Sequence, residues 1–91
     1  MMAAVTELSD AVRAGDVRTV QSILGREPPL ASSRDADGTS LVLLACTSGH
    51  RRVLDALLAA GAEPDARDAS GQTAADLAVA GGHAELAAML R

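Results

Sequence analysis

Apolar residues recur three and four positions apart along most of the chain, in short runs interrupted by glycine or proline. This spacing is typical of amphipathic α-helices that bury one face. Two such faces lie near the start of the chain, formed by Val5, Leu8, Ala11 and Val12 and then by Val17, Val20, Ile23 and Leu24. Further along, the same spacing predicts short helices over residues 40–48, 51–60, 74–80 and 84–90.

Residues suited to begin or end a helix stand at the boundaries of these runs. Asp16 is placed to cap the second helix, and Pro28–Pro29 prevent that helix from continuing. Gly61 is placed to end the fourth helix in the left-handed conformation. Thr73 and Asp76 have the spacing of a capping box. The residues predicted to face inward in the later helices are Val53, Leu54, Leu57, Leu58, Leu86, Met89 and Leu90.

The helices recur as a repeat. A shift of 33 positions superposes Asp35 on Asp68, Ala36 on Ala69, Gly38 on Gly71, Leu44 on Leu77, Ala45 on Ala78, Gly49 on Gly82, His50 on His83 and Leu57 on Leu90. A less regular copy of the repeat comes before the middle unit, at a spacing of 34 positions. The repeat therefore divides the chain into three units, over about residues 3–34, 35–67 and 68–91. Since one such unit cannot bury its apolar face alone, the units must stack, and we predict a single domain over residues 1–91.

The composition favours closely packed helices. Apolar residues make up 48% of the chain, yet Phe, Tyr and Trp are absent. The core must therefore be built from Ala, Leu, Val, Ile and Met. Helices rich in small residues pack closely enough for this, whereas a sheet sandwich usually needs aromatic bulk to fill its interior. The sequence predicts an all-α protein.

Charge and cysteine usage exclude some partners. The formal net charge is −4, and no aromatic residue is present on which a base could stack, so nucleic acid is excluded as a partner. No apolar run approaches the roughly 20 residues that span a bilayer, so we expect no membrane association. The single cysteine, Cys46, cannot form an internal disulfide and indicates a reducing compartment, hence a cytoplasmic location.

The repeat resembles that of ankyrin repeat proteins over nearly the whole chain. The middle unit carries the family pattern at Asp35, Gly38, Ser40, Leu44, Ala45, Gly49, His50, Val53, Leu57, Leu58, Gly61 and Ala62. The resemblance implies an all-α solenoid of three stacked helix-turn-helix units joined by short turn or hairpin loops. The first unit, which lacks the opening turn, and the last unit look like the two terminal caps of a short, self-contained array.

The middle unit departs from the family at three consecutive positions. Leu41, Val42 and Leu43 stand where the family usually has Pro, Leu and His. The resemblance implies that this histidine ties neighbouring turns together by hydrogen bonds, so we expect that tie to be absent here.

The residues that could support catalysis or metal binding have structural explanations. His50 and His83 lack the cluster of Asp, Glu or Cys that a metal site needs, and the repeat already accounts for them as helix-start residues. Cys46 could pair with His50 as a nucleophile, but its apolar flanks favour a buried position. The carboxylate pairs Asp35 with Asp37 and Asp65 with Asp68 lie in predicted exposed turns, where Asp commonly braces the backbone. We therefore expect no enzyme, metal or cofactor.

The remaining candidate is the concave surface that the family forms from turn tips and first helices. Carried over by position, the residues predicted to contact a partner are Arg13, Arg34, Asp37, Thr39, Thr47, Ser48, Arg67, Ser70, Gln72 and Ala80. The resemblance implies a non-enzymatic module that binds another protein as an adaptor, inhibitor or accessory subunit. Two alternatives stay open: a weak homo-oligomer that pairs through the last helix, and a ligand-binding or enzymatic protein.

Overall fold

The computed structural model describes residues 3–35 and 38–90. The regular elements are α1 (Ala3–Ala14), α2 (Val17–Arg26), a short 3-10 helix (Pro28–Ser32), α3 (Leu41–Ser48), α4 (Arg51–Ala59), α5 (Ala74–Ala80) and α6 (Ala84–Met89). Outside these helices, the described residues include two isolated antiparallel bridges, Arg34 with Ser40 and Arg67 with Thr73. The predicted all-helical, three-unit fold is confirmed, and the four helices for which bounds were predicted differ from them by one residue at most at either end.

The residues chosen as helix caps act as predicted. Asp16 accepts hydrogen bonds from the Thr19 backbone N–H at 3.3 Å and from the Thr19 hydroxyl at 2.6 Å. These bonds, the hydroxyl first, lower the pKa of the Asp16 carboxyl. Thr73 and Asp76 form the capping box, with both reciprocal bonds at 3.1 Å. Gly61 has a φ of 102° and directly follows Ala60, the residue that caps the end of α4.

The units stack so that α3 lies between α1 and α5, while α2 packs against α4. We call α1, α3 and α5 the inner row. The middle helix α3 is buried on almost every side because units cover it from both directions. Its buried residues are Leu41, Val42, Leu43, Ala45 and Cys46. The core continues into α4 through Val53, Leu54 and Leu57, which are buried as predicted.

Two histidines make contacts between units that the sequence analysis missed. His50 Nε2 lies 3.0 Å from the carbonyl oxygen of Arg13, and because a carbonyl only accepts, the bond requires the proton on Nε2. The His50 ring also occupies the space where a side chain on Gly15 would be, 2.7 Å from an ideal Cβ there. The His83 ring covers Gly49 in the same way, 2.6 Å from its ideal Cβ. The chain has Leu43 where the resemblance predicts a histidine, and His50 and His83 make the contacts between units instead.

The burial predicted for the end of the chain is partly wrong. Leu86 is buried, but Met89 and Leu90 are only partly buried, as is Leu58 in α4. No described element packs on the outer side of α5 and α6. For the same reason Val79 is 54% exposed, whereas Cys46, at the equivalent position of α3, is 0% exposed.

Candidate protein-binding surface

The predicted binding residues lie in two sets on the exposed side of the stack. Arg13, Thr47 and Ala80 occupy equivalent positions near the ends of α1, α3 and α5, and Ser48 follows Thr47. Because the inner row packs side by side, these positions form a line across three units. The second set lies in the turns that precede α3 and α5, and comprises Arg34, Thr39, Arg67, Ser70 and Gln72. Asp37 lies outside the described residues. We call the two sets together the inner surface.

Nearly all of the described inner-surface residues are exposed. The exception is Thr39, which is half-buried. The Thr47 hydroxyl donates to the carbonyl oxygens of Leu43 and Leu44, both at 3.1 Å, so its methyl group and its oxygen lone pairs are what solvent meets. We call the small exposed side chains of Thr47, Ser48 and Ala80 the floor of this surface, and the Thr47 hydroxyl is already hydrogen-bonded within its own helix.

An aspartate braces each turn from within. The Asp68 carboxylate accepts hydrogen bonds from the backbone N–H groups of Ser70 and Gln72, each at 2.9 Å. In the preceding unit Asp35 accepts from the Thr39 N–H, also at 2.9 Å. A carboxylate that bonds the backbone two to four residues ahead holds the turn in one conformation. The bracing role predicted for these aspartates is confirmed.

An arginine closes each turn from the other side. Arg34 Nη1 donates to the Gly38 carbonyl at 2.8 Å, and Arg67 Nη1 donates to the Gly71 carbonyl at 2.9 Å. Both glycines have positive φ, 81° and 84°, a conformation that other residues rarely adopt. The same turn is therefore built twice, and each turn presents an exposed arginine at an equivalent position.

Asp35 is buried, which contradicts the prediction of an exposed turn. Its side chain is 2% exposed, and Asp35 Oδ2 lies 2.7 Å from Arg13 Nη2. Arg13 also approaches Asp10, at 3.4 Å, while its own side chain is 45% exposed. The cause is non-local, because packing of the first unit against the turn covers the carboxylate. One feature of the sequence could have indicated this contact: Arg13 stands at the position where the other two units have Thr47 and Ala80.

This contact makes Asp35 more important to stability than its counterpart Asp68. We expect Asp35→Asn to lower the free energy of unfolding by about 1–2 kcal/mol, since Arg13 loses the closer and more buried of its two charged partners while Thr39 keeps an acceptor. Asp68→Asn should cost less than about 0.5 kcal/mol, because no ion pair of Asp68 exists among the described residues. Urea denaturation of both variants measures the difference. Equal losses would show that the Arg13–Asp35 pair contributes nothing.

Cys46, which was considered as a nucleophile, lies in the core. Cys46 is fully buried, as predicted, and its burial raises the pKa of the thiol to about 11, so the thiol is protonated at neutral pH. Over residues 3–35 and 38–90, no three His, Cys, Asp or Glu side chains converge as a metal site requires. In the same part of the chain, none of the helices combines the length and hydropathy needed to cross a bilayer.

A groove on the opposite side of the stack was not anticipated. It has a volume of about 420 Å³ and is lined by Gln21, Leu24, Gly25, Pro28, Ala56, Ala59 and Ala60. Gln21 is the one residue in this lining with a polar side chain. Small-molecule sites usually combine an apolar wall with several converging polar groups, which this groove lacks.

Comparison with known proteins agrees with the architecture. A family model described as ankyrin repeats (3 copies) matches residues 8–91. A putative ankyrin repeat-containing protein from Treponema pallidum is 39% identical over 72 residues, 79% of this chain and 24% of that protein. The NAD-capped RNA hydrolase NUDT12 of Homo sapiens is 29% identical over 86 residues, 94% of this chain and 19% of the hydrolase.

The chain therefore spans a fifth to a quarter of the length of these curated relatives. The matched region is nevertheless almost all of the chain, and a model of three copies agrees in number with the three helical pairs of the structure. Period, helix order, turn construction and family model agree, and the chain belongs to the ankyrin repeat family.

Proposed function

We propose that this chain is a non-enzymatic module that binds another protein through its inner surface, as an adaptor, inhibitor or accessory subunit. Ankyrin repeats generally act as protein-interaction modules and are typically not catalytic. One observation carries the proposal: two successive turns share the same aspartate and arginine bonds and stand beside the small exposed side chains of Thr47, Ser48 and Ala80. This arrangement offers a partner a preformed surface, and binding to it needs no catalytic residue.

The proposed mechanism is preorganisation. Association usually loses free energy to the ordering of loops and side chains. Here the turn backbone is already held by Asp35, Asp68, Arg34 and Arg67 before a partner arrives, so less ordering is left. Binding hot spots are enriched in Trp, Tyr and Arg, and this chain has only arginine among them. We therefore expect the partner to contribute the bulky anchoring side chains.

The inner surface can be tested by adding bulk and charge to its floor. The double variant Thr47→Arg with Ala80→Glu changes two exposed residues and should leave the core intact. We expect it to weaken binding of the genuine partner about ten-fold or more, since a partner could no longer approach the floor. The measurement is affinity capture from the native source with mass spectrometry, followed by calorimetric titration of the protein identified.

The matched control changes the opposite side of the stack. Gln21→Arg with Ala59→Glu also alters two exposed residues, but these line the groove between α2 and α4. The control should capture the same partner as the unmodified chain. Loss of the partner with the control variant, and retention with the inner-surface variant, would place binding on the groove and contradict the proposal.

Self-association is the second candidate, because Val79 is largely exposed and Met89 and Leu90 are partly exposed on one end of the stack. Sedimentation over a wide concentration range decides this, since a persistent monomer excludes it.

We do not propose the hydrolase activity named for the mammalian relatives, because the alignment covers 19% of those proteins. The cytoplasmic location also stays a proposal, supported by the single unpaired cysteine.

A further inference from the structure

The outer side of α5 and α6 matches the surfaces on which the first two units are stacked by their neighbours. Val12, Cys46 and Val79 occupy equivalent positions in the three units. Val12 and Cys46 are 0% exposed, because the next unit covers each of them, whereas Val79 is 54% exposed. Since Val12 and Val79 are the same residue, the difference comes from the neighbouring unit and not from the side chain.

The glycines that follow the inner-row helices show the same break in the series. Gly15, Gly49 and Gly82 all have a left-handed backbone, with φ of 75°, 75° and 81°. The His50 ring fills the space beside Gly15, and the His83 ring fills the space beside Gly49. At Gly82, apart from its two neighbours in the chain, no described atom lies within 4 Å of an ideal Cβ. We call this open space the Gly82 socket.

The hydrogen-bond acceptor for a ring at this place is also repeated. His50 Nε2 lies 3.0 Å from the carbonyl oxygen of Arg13, the residue two positions before Gly15. Ala80 stands two positions before Gly82 and is the last residue of α5. An α-helix leaves its final carbonyl groups without a partner inside the helix. A histidine over Gly82 would therefore meet the acceptor that His50 meets in the first unit.

This chain has no histidine of its own for the Gly82 socket. Its two histidines are His50 and His83, and both rings already cover glycines of the preceding units. A second copy stacked through its first unit would bring Asp16, the counterpart of His50, whose carboxylate is bonded to Thr19. A copy paired through its last unit would bring His83, whose ring is already in use. Either arrangement of two copies leaves the socket empty.

We propose that the outer side of α5 and α6 binds a helical pair of a second protein, and that a histidine at the start of the second helix of this pair enters the Gly82 socket. Both interfaces between units within the chain have this geometry. Covering Val79 and the partly buried Met89 and Leu90 supplies the apolar part of the contact. The occupant must leave the carboxylate of Asp76, the one charged residue of α5, in water or offer it a donor. This inference goes beyond the proposed function, which places a partner on the inner surface.

The first test supplies a helical pair of known sequence. A copy of residues 35–91 is joined after Arg91, so that the added middle unit can stack on the outer side of α5 and α6. We expect Val79→Glu in the first copy to lower the melting temperature of this extended chain by about 5 °C or more, because the new carboxylate is buried without a partner. In the original chain the same change should shift the melting temperature by less than about 2 °C, since residue 79 meets water there.

His50→Ala in the added copy tests the Gly82 socket itself. We expect it to lower the melting temperature of the extended chain by about 2–4 °C, through loss of the hydrogen bond and of the ring contact. The matched control is Ala59→Glu in the first copy, an exposed residue of α4, which should act equally in the two chains. Equal effects of Val79→Glu in the extended and original chains, or no effect of His50→Ala, would overturn the inference.

The second test identifies the natural occupant. The full chain with Val79→p-benzoylphenylalanine is irradiated in extract from the native source, and mass spectrometry identifies the peptide joined to it. We expect a peptide from a helical pair of another protein, with a histidine at the start of the second helix. A peptide of this chain, a helical pair without that histidine, or no joined peptide at all would overturn the inference. If Thr47→Arg with Ala80→Glu still abolishes partner capture in that case, this inference fails and the proposed function stands.

Discussion

Leu57→Ala is expected to lower the free energy of unfolding by about 3 kcal/mol, within the range of about 2–5 kcal/mol for buried leucines. Leu57 is 0% exposed in α4, where it belongs to the core that the middle unit shares with its neighbours. A domain of this size has about 5–10 kcal/mol of stability in total, so the variant should be close to unfolding at physiological temperature. Urea denaturation followed by circular dichroism measures the change.

Leu90→Ala is the matched control, because Leu90 is the same residue at the equivalent position of the last unit. Leu90 is only partly buried, since no described element covers that side of α6. Its truncation should therefore cost about 1 kcal/mol or less. Equal losses for the two leucines would contradict the view that stability comes from the stacking of one unit on the next.

The features predicted correctly from the sequence are those that depend on near neighbours along the chain. Asp16 caps α2 through Thr19, three residues ahead, and Thr73 and Asp76 cap α5 over the same separation. Helix capping is local physics, so the residue types and their spacing are sufficient to predict it. The three-unit order was predictable because the period can be read directly from the order of residues.

The features predicted wrongly depend on contacts between units. Asp35 is buried because Arg13, 22 residues earlier, lies against it. Met89 and Leu90 were assigned to the core on helical spacing alone, which shows which face is apolar but not whether anything covers it. For the candidate site, position in the repeat predicted which residues are exposed. It could not predict that Arg13 pairs with Asp35, since this contact joins the first unit to the turn of the second.

The histidine contacts are a second case of this kind. Sequence position predicted that His50 and His83 begin α4 and α6, which they do. Only the packed structure brings each ring over the glycine of the preceding unit. Glycine at positions 15 and 49 therefore serves two purposes at once, since it permits a left-handed backbone and leaves room for a ring. Substitution of glycines in two different units separates these two purposes.

Gly49→Ala is expected to lower the free energy of unfolding by about 2–5 kcal/mol, the sum of two contributions. Gly49 has a φ of 75°, and a residue with a Cβ in this conformation costs about 1–2 kcal/mol. The new Cβ would also lie 2.6 Å from the Cε1 atom of His83, so the ring must move out of its place between the units. Overpacking of this kind costs about 1–3 kcal/mol. Thermal and urea denaturation measure the combined loss.

Gly82→Ala isolates the first contribution, because Gly82 occupies the equivalent position with a φ of 81° and has nothing within 4 Å of an ideal Cβ. It should cost only the backbone part, about 1–2 kcal/mol. The difference between the two glycine variants should shrink when both are made in a His83→Ala background, since the ring that the new Cβ would meet is then gone. If the difference in unfolding free energy between the two glycine variants persists in the His83→Ala background, the His83 ring is not what makes Gly49→Ala the more costly change.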